Sequence, residues 1–275
     1  MIKDFSHFII TRFNIKQSIW EKDKQGSFVN NEAWLKERYD LFERFCYPSM
    51  TLQTEQNFKW IVYFDKETPE FFKNKNALLA ERFSNFLPKY VKDFNAFETN
   101  LEQDIQEYIE EKVTYVITTR LDNDDCFHKD AIKTIQRCFV KQDFAIIDLQ
   151  NGLTLQIVNG LKLALRRDVI SGPFISLIEK IVKNKRIFTV YDREHTNWQE
   201  DATFIDVTEG FYWMQIIHSR NIRNRLGSEL IYNKNYLKGY EFIKETPFSF
   251  RYYVSFLANK IRFSKIINVF KIKKK

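Results

Sequence analysis

Three short apolar runs, each closing on polar residues, constrain this chain more than any other feature. They are HFIITRFNI (residues 7–15), NFKWIVYFD (57–65) and VTYVITT (113–119). Runs rich in β-branched and aromatic residues, with little polar alternation, are typical of strands buried on both faces. Between them the spacing turns helical. From Glu32, residues Trp34, Arg38, Leu41, Phe42 and Phe45 recur at helical intervals, and Pro48 is the expected stop. Residues 69–83 read as a second helix and Thr99–Lys112 as a third, with a short strand at Lys89–Phe94 between them. A helix through Ile132, Ile135 and Phe139 is expected after the third run, and then a strand at Phe144–Leu149. Gly152 and the alternation in LTLQIV predict a hairpin. PFISLIEKIV reads as a helix opening on Pro173, and WMQIIHSRN from Trp213 as a late strand. The alternation of strand and helix in the first half predicts an α/β fold, a mixed and mostly parallel sheet flanked by helices. One domain is expected over 1–240, with a basic helical extension over 241–275.

Charge narrows the function classes. The formal net charge is +7, yet no Asp or Glu occurs from Thr246 to Lys275, a span that holds eight Lys and Arg. The rest of the chain is close to neutral, which argues against a nucleic-acid-binding face on the domain. No stretch approaches the roughly 18 apolar residues of a membrane-spanning helix. MIKDFSHFII lacks the apolar core and cleavage site of a signal peptide, so a cytoplasmic protein is expected. Cys46, Cys126 and Cys138 show no CxxC spacing, which points to neither a disulfide framework nor a zinc site. No two glycines form GxG, and GxxxxGK, HExxH and GxSxG are all absent. Nucleotide phosphates, if bound, are held without a glycine-rich loop.

RLDNDDCFH (residues 120–128) is the candidate site. Asp122, Asp124 and Asp125 crowd the end of a buried strand, and like charges so close repel. Capping of the next helix accounts for one of them, Asp125 first, with His128 in that helix's first turn. A divalent ion accounts for the others. Mg²⁺ and Mn²⁺ take oxygen ligands, commonly one or two carboxylates together with substrate phosphates. The carboxyl edge of a parallel sheet is also where ligands bind in open α/β folds.

TTRLDNDD resembles the DxD motif of nucleotide-sugar glycosyltransferases with the GT-A (Rossmann-like) fold. HFIITRFN, PSMTLQTEQNFKWIVYFD, YVITTRLDNDDCFHKDAI and WMQIIHSRN together resemble a bacterial family described as putative rhamnosyltransferases. The resemblance implies transfer of a sugar, rhamnose by the family's description, from a nucleotide-diphosphate donor. The implied acceptor is a cell-surface polysaccharide or glycolipid, and the implied cofactor Mn²⁺ or Mg²⁺. It implies Asp124 as main metal ligand and Asp122 at the metal or the donor ribose. Asp65 falls on the nucleobase, and Thr11 and Arg12 line the nucleotide pocket. His218 becomes a second metal ligand, which favours manganese. Arg120 pairs either with its own aspartates or with donor phosphate. Trp-x-Glu-Asp in EHTNWQED resembles the motif carrying the catalytic base of inverting relatives, with Asp201 first and Glu200 second; a solvated acidic loop is the alternative.

Two rivals stand beside this reading. A metal-dependent phosphohydrolase or nuclease would draw on Asp148 or Asp206 for a second cluster. A non-catalytic glycan-binding protein would use the aromatic residues as stacking faces. In the tail, a helix from Phe256 to Lys271 would place Phe256, Phe263, Ile266, Ile267 and Phe270 on one side. Lys260, Ser264, Asn268 and Lys271 would share another. Such a helix either lies on an anionic membrane surface, at the inner face of the cell membrane, or docks on the domain.

Overall fold

The computed structural model describes residues 4–16, 31–110, 112–221, 224–244, 248, 250, 252–254, 256–258 and 260–261. In chain order these form β1 (Phe5–Arg12), α1 (Glu32–Leu41), a π-helical turn (Phe42–Cys46), α2 (Tyr47–Thr51), β2 (Lys59–Asp65), α3 (Glu70–Arg82), β3 (Phe86–Val91), α4 (Phe94–Gln106) and β4 (Tyr115–Arg120). There follow β5 (Cys126–Phe127), α5 (Ala131–Arg137), β6 (Ala145–Leu149), β7 (Gly152–Gln156), β8 (Lys162–Arg166), β9 (Ser176–Lys180), β10 (Thr203–Val207), β11 (Trp213–Ile217) and β12 (Glu229–Leu230).

The main sheet runs β10-β6-β9-β4-β1-β2-β3. Every neighbouring pair is parallel except the two that β9 makes, with β4 and β6. This is the mixed, mostly parallel sheet expected. Residues Ile9, Trp60, Val62 and Ile117 face α1, the π-helical turn, α2, α3 and α5 on one side. Ile10, Ile61, Tyr63 and Val116 face α4 and the segment around Ile187 on the other. A second sheet, β12-β8-β7-β11-β5, packs on Leu41 and Phe45. That second sheet brings β11 alongside β5, immediately after the aspartate cluster.

Several local expectations are corrected. Pro48 does not stop the first helix, which continues to Thr51. The π-helical turn absorbs it: Tyr47 N–H reaches back to Phe42 C=O, one residue further than in an α-helix. The segment from Pro173 is no helix but leads into β9, inserted between β4 and β6. A central strand shows no polar alternation, so its apolar run imitates a buried helix. The hairpin exists between β7 and β8, but its turn lies at Asn159 and Gly160, both at positive φ. α5 is preceded by Asp130, not Asp125, and His128 lies before the helix, hydrogen-bonded to Lys238 C=O.

Most of the basic helix expected over 256–271 lies outside the described residues. Those described at 252–254, 256–258 and 260–261 are helical. Tyr252 is buried, and its hydroxyl donates to Leu163 or Ile231 C=O and accepts Leu163 N–H. Packing therefore continues past the boundary expected at 240. Among the described residues, no helix is long and apolar enough to cross a membrane.

Candidate functional site

The site is assembled at the carboxyl ends of β1 and β4. The turn after β4 is tied down by Leu121 N–H, which donates to Ile10 C=O. Asn123 does more: its amide donates to Arg12 C=O (3.0 Å) and Phe13 C=O (2.7 Å). The middle residue of the acidic motif thus fixes the turn to the end of β1 and leaves its two neighbours free to point elsewhere.

Asp124 is 7% exposed. Its Oδ2 accepts from Arg38 Nη1 at 2.5 Å and lies 2.8 Å from His218 Nε2. Burial works against its charge, but the Arg38 guanidinium and the His218 imidazole outweigh it and hold the carboxyl well below the usual carboxylate range. His218 follows β11, whose pairing with β5 carries it to the aspartates. Its backbone N–H donates to Asn221 Oδ1, and its Nδ1 accepts Arg220 N–H. Sequence reasoning brought Asp124 and His218 together, and the structure places them in contact.

Arg38 was not among the expected site residues. Its guanidinium bridges Asp124 and Asn123 Oδ1 and lies 5.0 Å from the Trp34 ring centre. The signal was present: Arg38 shares the apolar register of Trp34, Leu41, Phe42 and Phe45, and a cation in a core-facing register needs a buried acid.

Asp125 is fully buried and serves neither ion nor helix. Its Oδ1 accepts Ile216 N–H at 2.9 Å, tying β11 to the turn, and its Oδ2 has no hydrogen-bond partner. Burial, then the charges of Asp124 and Asp122, push its carboxyl far up, which favours its neutral form. Asp122 is partly exposed, and its carboxylate has no hydrogen-bond or ion-pair partner among the described residues. Three aspartates are thus sorted: one paired with Arg38 and His218, one buried against β11, one open.

Asp65 ends β2, with Oδ1 accepting Glu67 N–H and Lys16 Nζ 3.4 Å from Oδ2. It forms the turn there, and Oδ2 makes no hydrogen bond. Thr11 is fully buried on the α1 side, where its hydroxyl accepts from the Trp60 indole N–H. Its side chain lies in the core against Trp60. Arg12 and Arg120 lie on the opposite face, both 4.9 Å from the Tyr191 ring centre. Arg120 forms no ion pair with its neighbouring aspartates.

Glu200 and Asp201 are misplaced for a catalytic base. β10, which they precede, runs parallel to β4 through the chain of pairings. They therefore stand at the amino edge of the sheet, where Thr203 N–H meets Phe144 C=O just before β6. The aspartate cluster is at the carboxyl edge, a five-residue strand or roughly 16 Å away along the sheet direction. Asp201 is exposed and paired through both oxygens with Arg193, which lowers its carboxyl. The acidic motif there is a surface ion pair. Asp148 does not reach the cluster either: it lies on β6, beyond β9, with Oδ2 accepting Ser171 N–H. Asp206 is its exposed partner on β10.

The donor set suits a divalent ion only as part of a site. Among the described residues no three His, Cys, Asp or Glu side chains converge. Asp124 and His218 supply two donors, with Asp122 unpartnered beside them in the chain, and a diphosphate and water supply the rest of such a shell in other Mg²⁺ sites.

The model of a family described as putative rhamnosyl transferase matches residues 2–229. No curated protein matches the chain. Among solved structures, the chain is similar to S. aureus TarS 1–349 in complex with UDP-GlcNAc. The identity is 10% and the TM-score 0.45, over 86% of this chain and 65% of that one. TarS 1–349 alone gives 9% identity and a TM-score of 0.44, over 77% of this chain and 60% of that one. A putative nucleotide-diphospho-sugar transferase from Desulfovibrio desulfuricans G20 gives 8% identity and a TM-score of 0.34, over 80% and 83%. The chain thus spans less than two thirds of the length of the TarS chains.

Proposed function

This chain belongs to the glycosyltransferase family described as putative rhamnosyl transferase, and on that premise we propose that it transfers a hexose, rhamnose first among candidates, from a nucleotide-diphosphate donor to a glycan or glycolipid. The observation that carries the reading is the meeting of Asp124 and His218 at the carboxyl edge of the central strands, next to the unpartnered Asp122. A parallel sheet binds its ligands at that edge.

In this reading the nucleotide lies across the ends of β1, β2 and β4. Asp65 Oδ2, buried without a hydrogen bond, faces the nucleobase. Arg12 and Arg120 approach the donor from the α4 face, and Asp122 takes the ribose or the ion. Asp124 is the principal ligand of Mn²⁺ or Mg²⁺, with His218 second. When bound, the ion would offset the negative charge that develops on the departing diphosphate. Arg38 and His218 keep Asp124 ionised, and Asn123 fixes the turn that carries it, so the carboxylate needs little rearrangement during transfer. Arg38 adds a fixed positive charge to the same region.

The reading is tested by incubating the protein with dTDP-, UDP- and GDP-hexoses and Mn²⁺ and following release of nucleoside diphosphate. One donor should turn over, slowly by hydrolysis and faster with acceptor glycolipid. Release should disappear in EDTA and in Asp124→Ala. Turnover of no donor by folded protein would overturn the proposal.

A further inference from the structure

Arg12 and Arg120 come together through strand register. In the β1–β4 ladder Arg120 is opposite Ile10, and Arg12 is two residues further along the same face. Both guanidiniums lie 4.9 Å from the centre of the Tyr191 ring, and Arg12 also lies 5.5 Å from Phe94. No carboxylate among the described residues lies within ion-pairing distance of either. Arg120 is 7% exposed, and its Nε–H has no hydrogen-bond partner. Two cations gathered at one ring, one of them buried with an unused donor, leave an electrostatic debt. Ring faces attract cations weakly, by about 0.5–2 kcal/mol, and an unpaired buried charge costs several kcal/mol.

Tyr191 is held firmly for a loop residue. Its ring meets Phe97 edge-on at 5.3 Å, and its hydroxyl donates to Ile10 C=O. The neighbouring Val190 N–H donates to Thr118 on β4. Asp192 closes the turn by accepting Thr189 N–H and its hydroxyl, and pairs with Arg186. The ring is therefore a platform set in place before any ligand arrives.

We propose that Arg12 and Arg120, stacked on Tyr191, form a preorganised diphosphate clamp that binds the phosphates of the donor without needing the metal ion. The clamp rests on the donor reading above and deepens it, because it adds a second anchor on the α4 face of β1 and β4. Arginine forks match phosphate oxygens in pairs. Arg12 and Arg120 are binding residues in this scheme, and Tyr191 is a positioning residue that acts through them.

The test uses the full chain and inorganic pyrophosphate in EDTA, with binding followed by calorimetry and folding checked by unfolding without ligand. Pyrophosphate should bind at least tenfold more tightly than orthophosphate, and nucleoside diphosphate should displace it. Arg12→Gln and Arg120→Gln should each weaken pyrophosphate binding by about tenfold, the loss expected of a charge-assisted hydrogen bond. Tyr191→Leu should erode the preference for pyrophosphate over orthophosphate, and Tyr191→Phe should restore it. Unchanged pyrophosphate affinity in the partly exposed Arg12→Gln, or binding seen only with Mn²⁺, overturns the clamp. If those results accompany normal Mn²⁺-dependent nucleotide binding, the glycosyltransferase reading survives without it. If pyrophosphate binds through the arginines but no nucleotide binds at all, the clamp stands and the donor reading falls.

Discussion

Arg38 and Asp125 show how three crowded aspartates become tolerable. Arg38 neutralises Asp124, and burial beside two carboxylates favours the neutral form of Asp125. Replacing Arg38 by Leu leaves Asp124 buried beside His218 alone, and should cost about 3 kcal/mol, the usual penalty for breaking a buried pair. Urea unfolding of Arg38→Leu measures this directly. Asp125 makes the opposite prediction. Asparagine keeps the acceptor for Ile216 N–H, so Asp125→Asn should change stability by less than about 1 kcal/mol. Asp125→Ala strands that N–H and should cost about 1–3 kcal/mol. Equal losses for Asn and Ala in chemical unfolding would mean that the charge of Asp125 matters to the fold. None of this division was legible in RLDNDDCFH. Sequence shows three identical acids, and only the strand geometry decides which one meets Arg38, which one meets β11 and which one stays open.

Strands explain most of the remaining mismatches. β1, β2 and β4 were readable because their apolar runs are long and bounded by polar residues. β9 was not, because it is short, fully sandwiched between β4 and β6, and opens after a proline that equally suits a helix. β9 also carries Glu179, whose carboxyl burial and the nearby Asp143 push up to about 7 from the usual 4.5. The folded protein therefore keeps a proton that the unfolded chain releases at lower pH. Stability from this group is present below about pH 4.5 and is lost as pH rises to about 7. Glu179→Gln lacks that loss and should gain on the wild type by about 3 kcal/mol between those limits. Parallel stability curves for the two proteins across that window would refute the assignment. β7 makes a steric prediction. Gly152 pairs with Trp213 on β11, and a Cβ there would lie 2.1 Å from the indole ring. Gly152→Ala should lower stability by about 1–3 kcal/mol in thermal or denaturant unfolding, as overpacking does. The hairpin signal attached to Gly152 belonged instead to Asn159-Gly160, the dipeptide that favours such turns.

At the scale of the molecule, the order of strands decides what each motif can do. TTRLDNDD and WMQIIHSRN meet because β11 returns alongside β5. Trp-x-Glu-Asp, which reads as catalytic by likeness alone, is delivered to the opposite edge by the direction of β10. That outcome depends on β9 and β10, the two strands that the sequence hid. Tyr252 likewise joins the residues beyond 240 to the second sheet. A chain ending at Tyr240 loses that anchor and should unfold at lower temperature than the full chain. If the tail also holds a membrane surface, the full chain should sediment with anionic liposomes at low salt, and the shortened chain should not. The central claim is a metal-assisted donor site built on Asp124 and His218. Its most direct measure is the thermal unfolding of the full chain with UDP, GDP and dTDP, each with and without Mn²⁺. One nucleoside diphosphate should raise the midpoint further with Mn²⁺ than without it, and the Mn²⁺-dependent part should vanish in Asp124→Ala while that variant stays folded. No shift with any of the three nucleotides, or a Mn²⁺-dependent shift that persists in Asp124→Ala, would contradict it.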